Sequence, residues 1–150
     1  MRICFVLPAV SLASTLLRAR TSAARTKAGG IGDQYPFYHT TEEISAEAKR
    51  LAQNCPGLSV ETKSKSASGS SVDIDIVSMR KPGSSPNASM YMLFGEHARE
   101  LVSPESGLHF LKSLCGETST SPAVQNVLDE VEFRVVLNGN PNSRKRVENG

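Results

Sequence analysis

His97 and Glu100 are the residues of this chain best suited to chemistry. Imidazole nitrogen and carboxylate oxygen are both ordinary zinc ligands. A spacing of i, i+3 puts the two side chains on one face of a helix or tight turn. Arg99 stands between them, and its planar fork can hold a carbonyl or a carboxylate. The arrangement points to half of a catalytic metal site. A catalytic zinc commonly takes three protein ligands and leaves one position for water, so the pair needs a third donor. His39 and His109 are poor candidates. His39 reads as a packed or surface histidine, and His109 sits among polar neighbours on a helix.

An HxxE pair alone is a weak signal, and its context strengthens it. Met90-Tyr91-Met92-Leu93-Phe94 is apolar almost without alternation. That pattern predicts a strand covered on both faces. Gly95 ends the strand and delivers the pair to the sheet rim, where open α/β folds bind ligands. Ser103-Pro104-Glu105 then predicts a helix start, with Ser at N-cap and Pro at N1. Leu108, Leu111, Leu114 and Cys115 make its inward stripe.

Upstream, Thr40 and Glu43 form a capping box. Ile44, Ala48, Leu51, Ala52 and Cys55 follow as one apolar helical stripe. Leu58–Thr62 reads as a short strand and Lys63–Ser71 as a turn. Val72–Met79 alternates like a strand with one wet face, which carries Asp73 and Asp75. Downstream come a short helix over Pro122–Glu130 and a strand over Val131–Leu137. Asn138–Ser143 is turn-rich, and Arg144-Lys145-Arg146 reads as a solvated loop. The expected class is α/β, a mixed β-sheet flanked by helices.

Composition excludes several functions. Trp is absent and Tyr and Phe number 3 and 5, so stacking platforms for nucleic acid are not expected. Five basic residues precede Asp33; without them 12 face 15 acids, a net charge of −3. A mildly acidic body gives no support for nucleic-acid binding. The basic excess belongs to residues 1–24, where Ile3–Ala13 is a short apolar core followed by small residues. This pattern is that of a secretory signal peptide, too short for a stable membrane anchor. Organelle targeting is the rival reading, from the acid-free stretch Arg18–Lys27, and a misassigned start site is a third. Residues 25–34 read as a flexible linker and 35–150 as the folded part. Secretion would make Asn87-Ala88-Ser89 a glycosylation acceptor at Asn87. It would also permit a Cys55–Cys115 disulfide, although buried free thiols are the favoured expectation.

Gly95-Glu96-His97-Ala98-Arg99-Glu100-Leu101-Val102-Ser103-Pro104 resembles the zinc-ligand segment of the M14 metallocarboxypeptidases, the carboxypeptidase A/B-like family. Asn140-Pro141-Asn142 after the next strand matches that family in order, and the likeness runs from Tyr35 to Gly150. The resemblance implies an α/β/α fold, here incomplete, and one Zn2+. It makes His97 and Glu100 the first two zinc ligands and Arg99 a substrate-binding arginine. It implies hydrolysis of the C-terminal peptide bond of peptides or proteins, which the leader would place outside the cell or in the secretory lumen. The family's third ligand, its carboxylate-gripping Asn-Arg pair and its late Glu base have no match here, and Ser143 stands where a Gly is usual. The chain is thus expected to be an N-terminal part, not competent alone, with apolar sheet edge or face left open. A non-catalytic peptide- or partner-binding remnant and a related zinc deacylase are the alternative readings.

Overall fold

The computed structural model describes residues 35–67, 69–118 and 122–150. The leader and the linker read from the sequence lie outside the described residues. Helix α1 (Thr41–Asn54) opens on the expected box. Glu43 donates its backbone N–H to Thr40 Oγ1, and the Glu43 carboxylate accepts the Thr40 N–H. Ile44, Ala48 and Leu51 are buried along its stripe.

The chain then forms a long hairpin, β1 (Leu58–Ala67) and β2 (Ser70–Met79), paired from Leu58↔Met79 to Ala67↔Ser70. The segment read as a turn is largely strand. The side chains of Lys63, Ser64, Lys65, Ser66, Ser70 and Ser71 are exposed and show no apolar period. The backbone ladder pairs all the same, because its hydrogen bonds do not depend on side-chain polarity. A second difference lies in β2. Val77 and Met79 are buried against the helices. Residues two apart share a face, so Asp73 and Asp75 share theirs. Asp75 is not left to solvent: it accepts hydrogen bonds from Ser45 on α1 and Thr62 on β1.

Strand β3 (Ala88–Leu93) leads to helix α2 (Val102–Leu114), helix α3 (Pro122–Glu130), strand β4 (Val131–Val136) and helix α4 (Pro141–Asn149). The sheet order is β1-β2-β4-β3, antiparallel except for the parallel β3–β4 pair. The sheet is mixed and flanked by helices, as expected. One layer of core joins α1, α2 and α3 to the Val77, Met79, Phe133 and Val135 face. Gly107 lets α2 sit close, since a Cβ there would lie 2.6 Å from the Phe94 ring.

Strand β3 departs from the expectation of two covered faces. It is an edge strand, with Met90, Tyr91 and Leu93 49%, 74% and 56% exposed. Tyr91 and Leu93 point away from the helix layer, on the face shared with Ile76 and Val136. An apolar run specifies where a strand can be buried, and burial itself requires a neighbour. The cysteines also differ: Cys55 and Cys115 form a disulfide rather than free thiols. They close the C-terminal ends of α1 and α2, which pack side by side, so two sulfurs far apart in sequence meet.

Candidate metal centre

The backbone carries β3 into a tight turn. Phe94 still donates to Val136 O, and Gly95 follows with φ +65°. A Cβ on Gly95 would lie 2.9 Å from Pro104 Cγ and 3.1 Å from Asn138 Cα, so both conformation and space require glycine. Glu100 donates its N–H to His97 O, which closes the turn, and Ser103 donates to Glu100 O as α2 begins.

Within this turn His97 Nδ1 lies 3.0 Å from Glu100 Oε1, and both side chains are more than half exposed. Arg99 is exposed on the same turn and has no side-chain partner among the described residues. The donors suit zinc in type and placement. Two ligands of a tetrahedral zinc stand about 3.4 Å apart, so the pair needs only a small opening to share an ion. Among the described residues no group of three or more His, Cys, Asp or Glu could hold a metal. His109 is exposed on α2. His39 Nδ1 faces Glu105 Oε2 at 2.8 Å. Burial raises the Glu105 carboxyl, but hydrogen bonds from the His39 ring and N–H outweigh it and hold the group below the usual range.

Two residues that fasten this turn, and a third in the helix after Asn140, carry other roles in the sequence reading. Ser103 is not an N-cap: α2 starts at Val102 without a side-chain cap, and Ser103 Oγ accepts the Gly95 N–H at 3.0 Å. Asn140, before α4, donates to Glu96 O at 3.3 Å. Arg144 lies in α4 rather than a solvated loop and is 1% exposed. Pro141 at the first helical position was the available signal for α4. The burial of Arg144 had none, because it depends on which elements pack over it.

A cavity of about 510 Å³ opens between α1, β2 and α4. Leu137 and Asn138 line it and back onto Gly95, while His97, Arg99 and Glu100 take no part in it. Asn87, the glycosylation candidate, is exposed just before β3.

Residues 44–142 match the model of the zinc carboxypeptidase family, Peptidase_M14. Solved structures agree in fold. Thrombin-activatable fibrinolysis inhibitor is 23% identical with a TM-score of 0.61, over 73% of this chain and 27% of that one. A metallo-carboxypeptidase from Burkholderia cenocepacia is 19% identical with a TM-score of 0.63, over 74% of this chain and 29% of that one. Carboxypeptidase A from Helicoverpa armigera is 21% identical with a TM-score of 0.59, over 75% of this chain and 27% of that one. This chain therefore spans less than a third of the length of these relatives. The family model covers most of the chain, including the turn with its imidazole and carboxylate, and the protein belongs to the zinc carboxypeptidase family.

Proposed function

We propose that this chain contributes the first half of the zinc centre of a carboxypeptidase that cleaves C-terminal peptide bonds. His97 through Nδ1 and Glu100 through its carboxylate would hold the ion, with the third protein donor coming from outside the described residues. The observation that carries the reading is the 3.0 Å approach of these two donors on one exposed turn at the end of a sheet strand, in a chain of this family. When bound, zinc polarises a carbonyl and lowers the pKa of its water to about 7. Arg99, exposed beside the pair, would hold a substrate carbonyl or carboxylate through its planar fork. The substrate class is the C-terminal end of peptides or proteins. The disulfide and the exposed Asn87 support secretion, since disulfides persist in oxidising compartments.

Two donors alone hold zinc weakly, and the same observation fits a non-catalytic remnant. Calorimetry on the purified chain separates the two. The expected result is one weak zinc site, lost in His97→Ala and in Glu100→Gln, with no release of C-terminal residues from peptides. Equal zinc uptake by wild type and both variants would remove His97 and Glu100 as ligands. Absence of uptake in all three would leave the remnant.

A further inference from the structure

Arg144 is the most deeply buried charged side chain among the described residues. A guanidinium taken out of water is costly unless it is paired and hydrogen-bonded, and a packed apolar side chain often serves stability as well. Its bonds give a geometric reason for the charge. Arg144 Nε donates to Glu148 Oε1 at 3.0 Å, and Nη2 donates to His39 O at 2.9 Å. Two arms lead from there to the backbone before His97.

The first arm runs through the segment ahead of α1. His39 donates its N–H to Glu105 Oε1 at 2.6 Å, and its ring meets Glu105 Oε2. Glu105 sits in the first turn of α2, two residues after Ser103, which holds the Gly95 N–H. The second arm runs through α4, which the guanidinium fastens to the His39 backbone: Asn140, at the N-cap of this helix, donates from Nδ2 to Glu96 O at 3.3 Å. Glu148, at the other end of α4, accepts the N–H and hydroxyl of Thr41, which ties α4 to α1.

We propose that Arg144 is a positioning residue for the His97–Glu100 pair, clamping Gly95 and Glu96 from two sides through Glu105 and Asn140. The inference rests on the reading of His97 and Glu100 as metal ligands. It adds that the donor separation is set by a buried charge network and not by the turn alone. A packed apolar residue at position 144 would keep the core and lose the clamp.

The test is NMR of the His97 imidazole in the full chain, without zinc and through a zinc titration. It is run at a temperature where circular dichroism shows each variant folded. Arg144→Met is expected to move the zinc-free His97 ring signals and raise the zinc midpoint at least about tenfold, equivalent to 1.4 kcal/mol. The amide signals of the β1–β2 hairpin should stay in place, which a general loss of structure would not allow. Arg144→Lys should recover part of the shift. Combining Arg144→Met with Asn140→Ala should give less than the product of the single effects, because both act on Glu96. If Arg144→Met does not fold, Glu105→Ala and Asn140→Ala each cut one arm and should each move the His97 signals. Unchanged zinc-free His97 signals and midpoint in the folded variants would overturn the proposal. A wild-type chain whose His97 ignores zinc would defeat the metal reading instead, and the zinc-free signals would still decide the positioning role.

Discussion

Gly95 marks the point where backbone conformation and site chemistry meet. Its φ of +65° is a left-handed value, and a side chain there would press on Pro104 and on the Asn138 backbone. Left-handed backbone costs a non-glycine residue roughly 1–2 kcal/mol before any steric overlap. Gly95→Ala is therefore expected to lower unfolding free energy by at least about 2 kcal/mol, measured by urea denaturation, and to shift the His97 ring signals. A variant as stable as wild type would show that the turn can relax. At this scale the sequence was informative for His97, Arg99 and Glu100, whose chemistry and spacing are local. It was misleading for Ser103, whose hydroxyl turns back across the turn to Gly95, and for Arg144, whose bond goes to His39, 105 residues away in the chain.

Helices α1 and α2 are joined at their C-terminal ends, away from the turn that precedes α2. The Cys55–Cys115 disulfide closes a 60-residue separation. Chain-entropy reasoning puts its contribution near 4 kcal/mol. Reduction, or Cys55→Ala with Cys115→Ala, should lower the unfolding free energy by about that much, and a change below roughly 1 kcal/mol would contradict it. Beside it, Arg50 pairs with Glu47 and Glu117, and Lys112 also reaches Glu47. The Arg50 hydrogen bond, with help from Lys112 and against burial, lowers the Glu47 carboxyl to about 2. Glu117 is held low chiefly by Arg50 as well. Both folded values lie below the ordinary carboxylate value, so their stabilisation is complete above that value, about 4.5, and fades as pH falls toward 2. Stability followed by chemical denaturation should be flat from neutrality to about pH 5 and drop below it. In Glu47→Gln the drop should be shallower, and an unchanged profile would remove Glu47 as a contributor. The capping box and the α1 stripe were readable because helix signals are local. The length of the hairpin was not, because a wet ladder has no apolar period.

Among the described residues the sheet has one well-covered face and one open one. Tyr91 and Leu93 on β3 stand exposed beside Val136 and Ile76, and Arg134 lies 5.8 Å over the Tyr91 ring. An edge strand with unpaired backbone groups and exposed apolar side chains is a template for association. The chain is expected to self-associate and to bind a hydrophobic dye. Leu93→Lys should reduce both several-fold with little change in unfolding free energy, since Leu93 lies outside the core. Sedimentation of wild type as a dye-negative monomer would contradict the expectation. Among the described residues no helix is long and apolar enough to cross a membrane.

By itself the sequence determined the α/β class, the three-residue spacing of the two donors, the glycine before them and the first helix. Each of these rests on a periodicity, a cap or a turn confined to a few neighbouring residues. Tertiary structure alone decided that Cys55 meets Cys115, that Arg144 is buried, and that Asp75 is taken up by Ser45 and Thr62. It also decided that an apolar strand lies at an open edge. Pairing, burial and exposure belong to contacts between segments far apart in the chain, and no local pattern encodes which segments arrive.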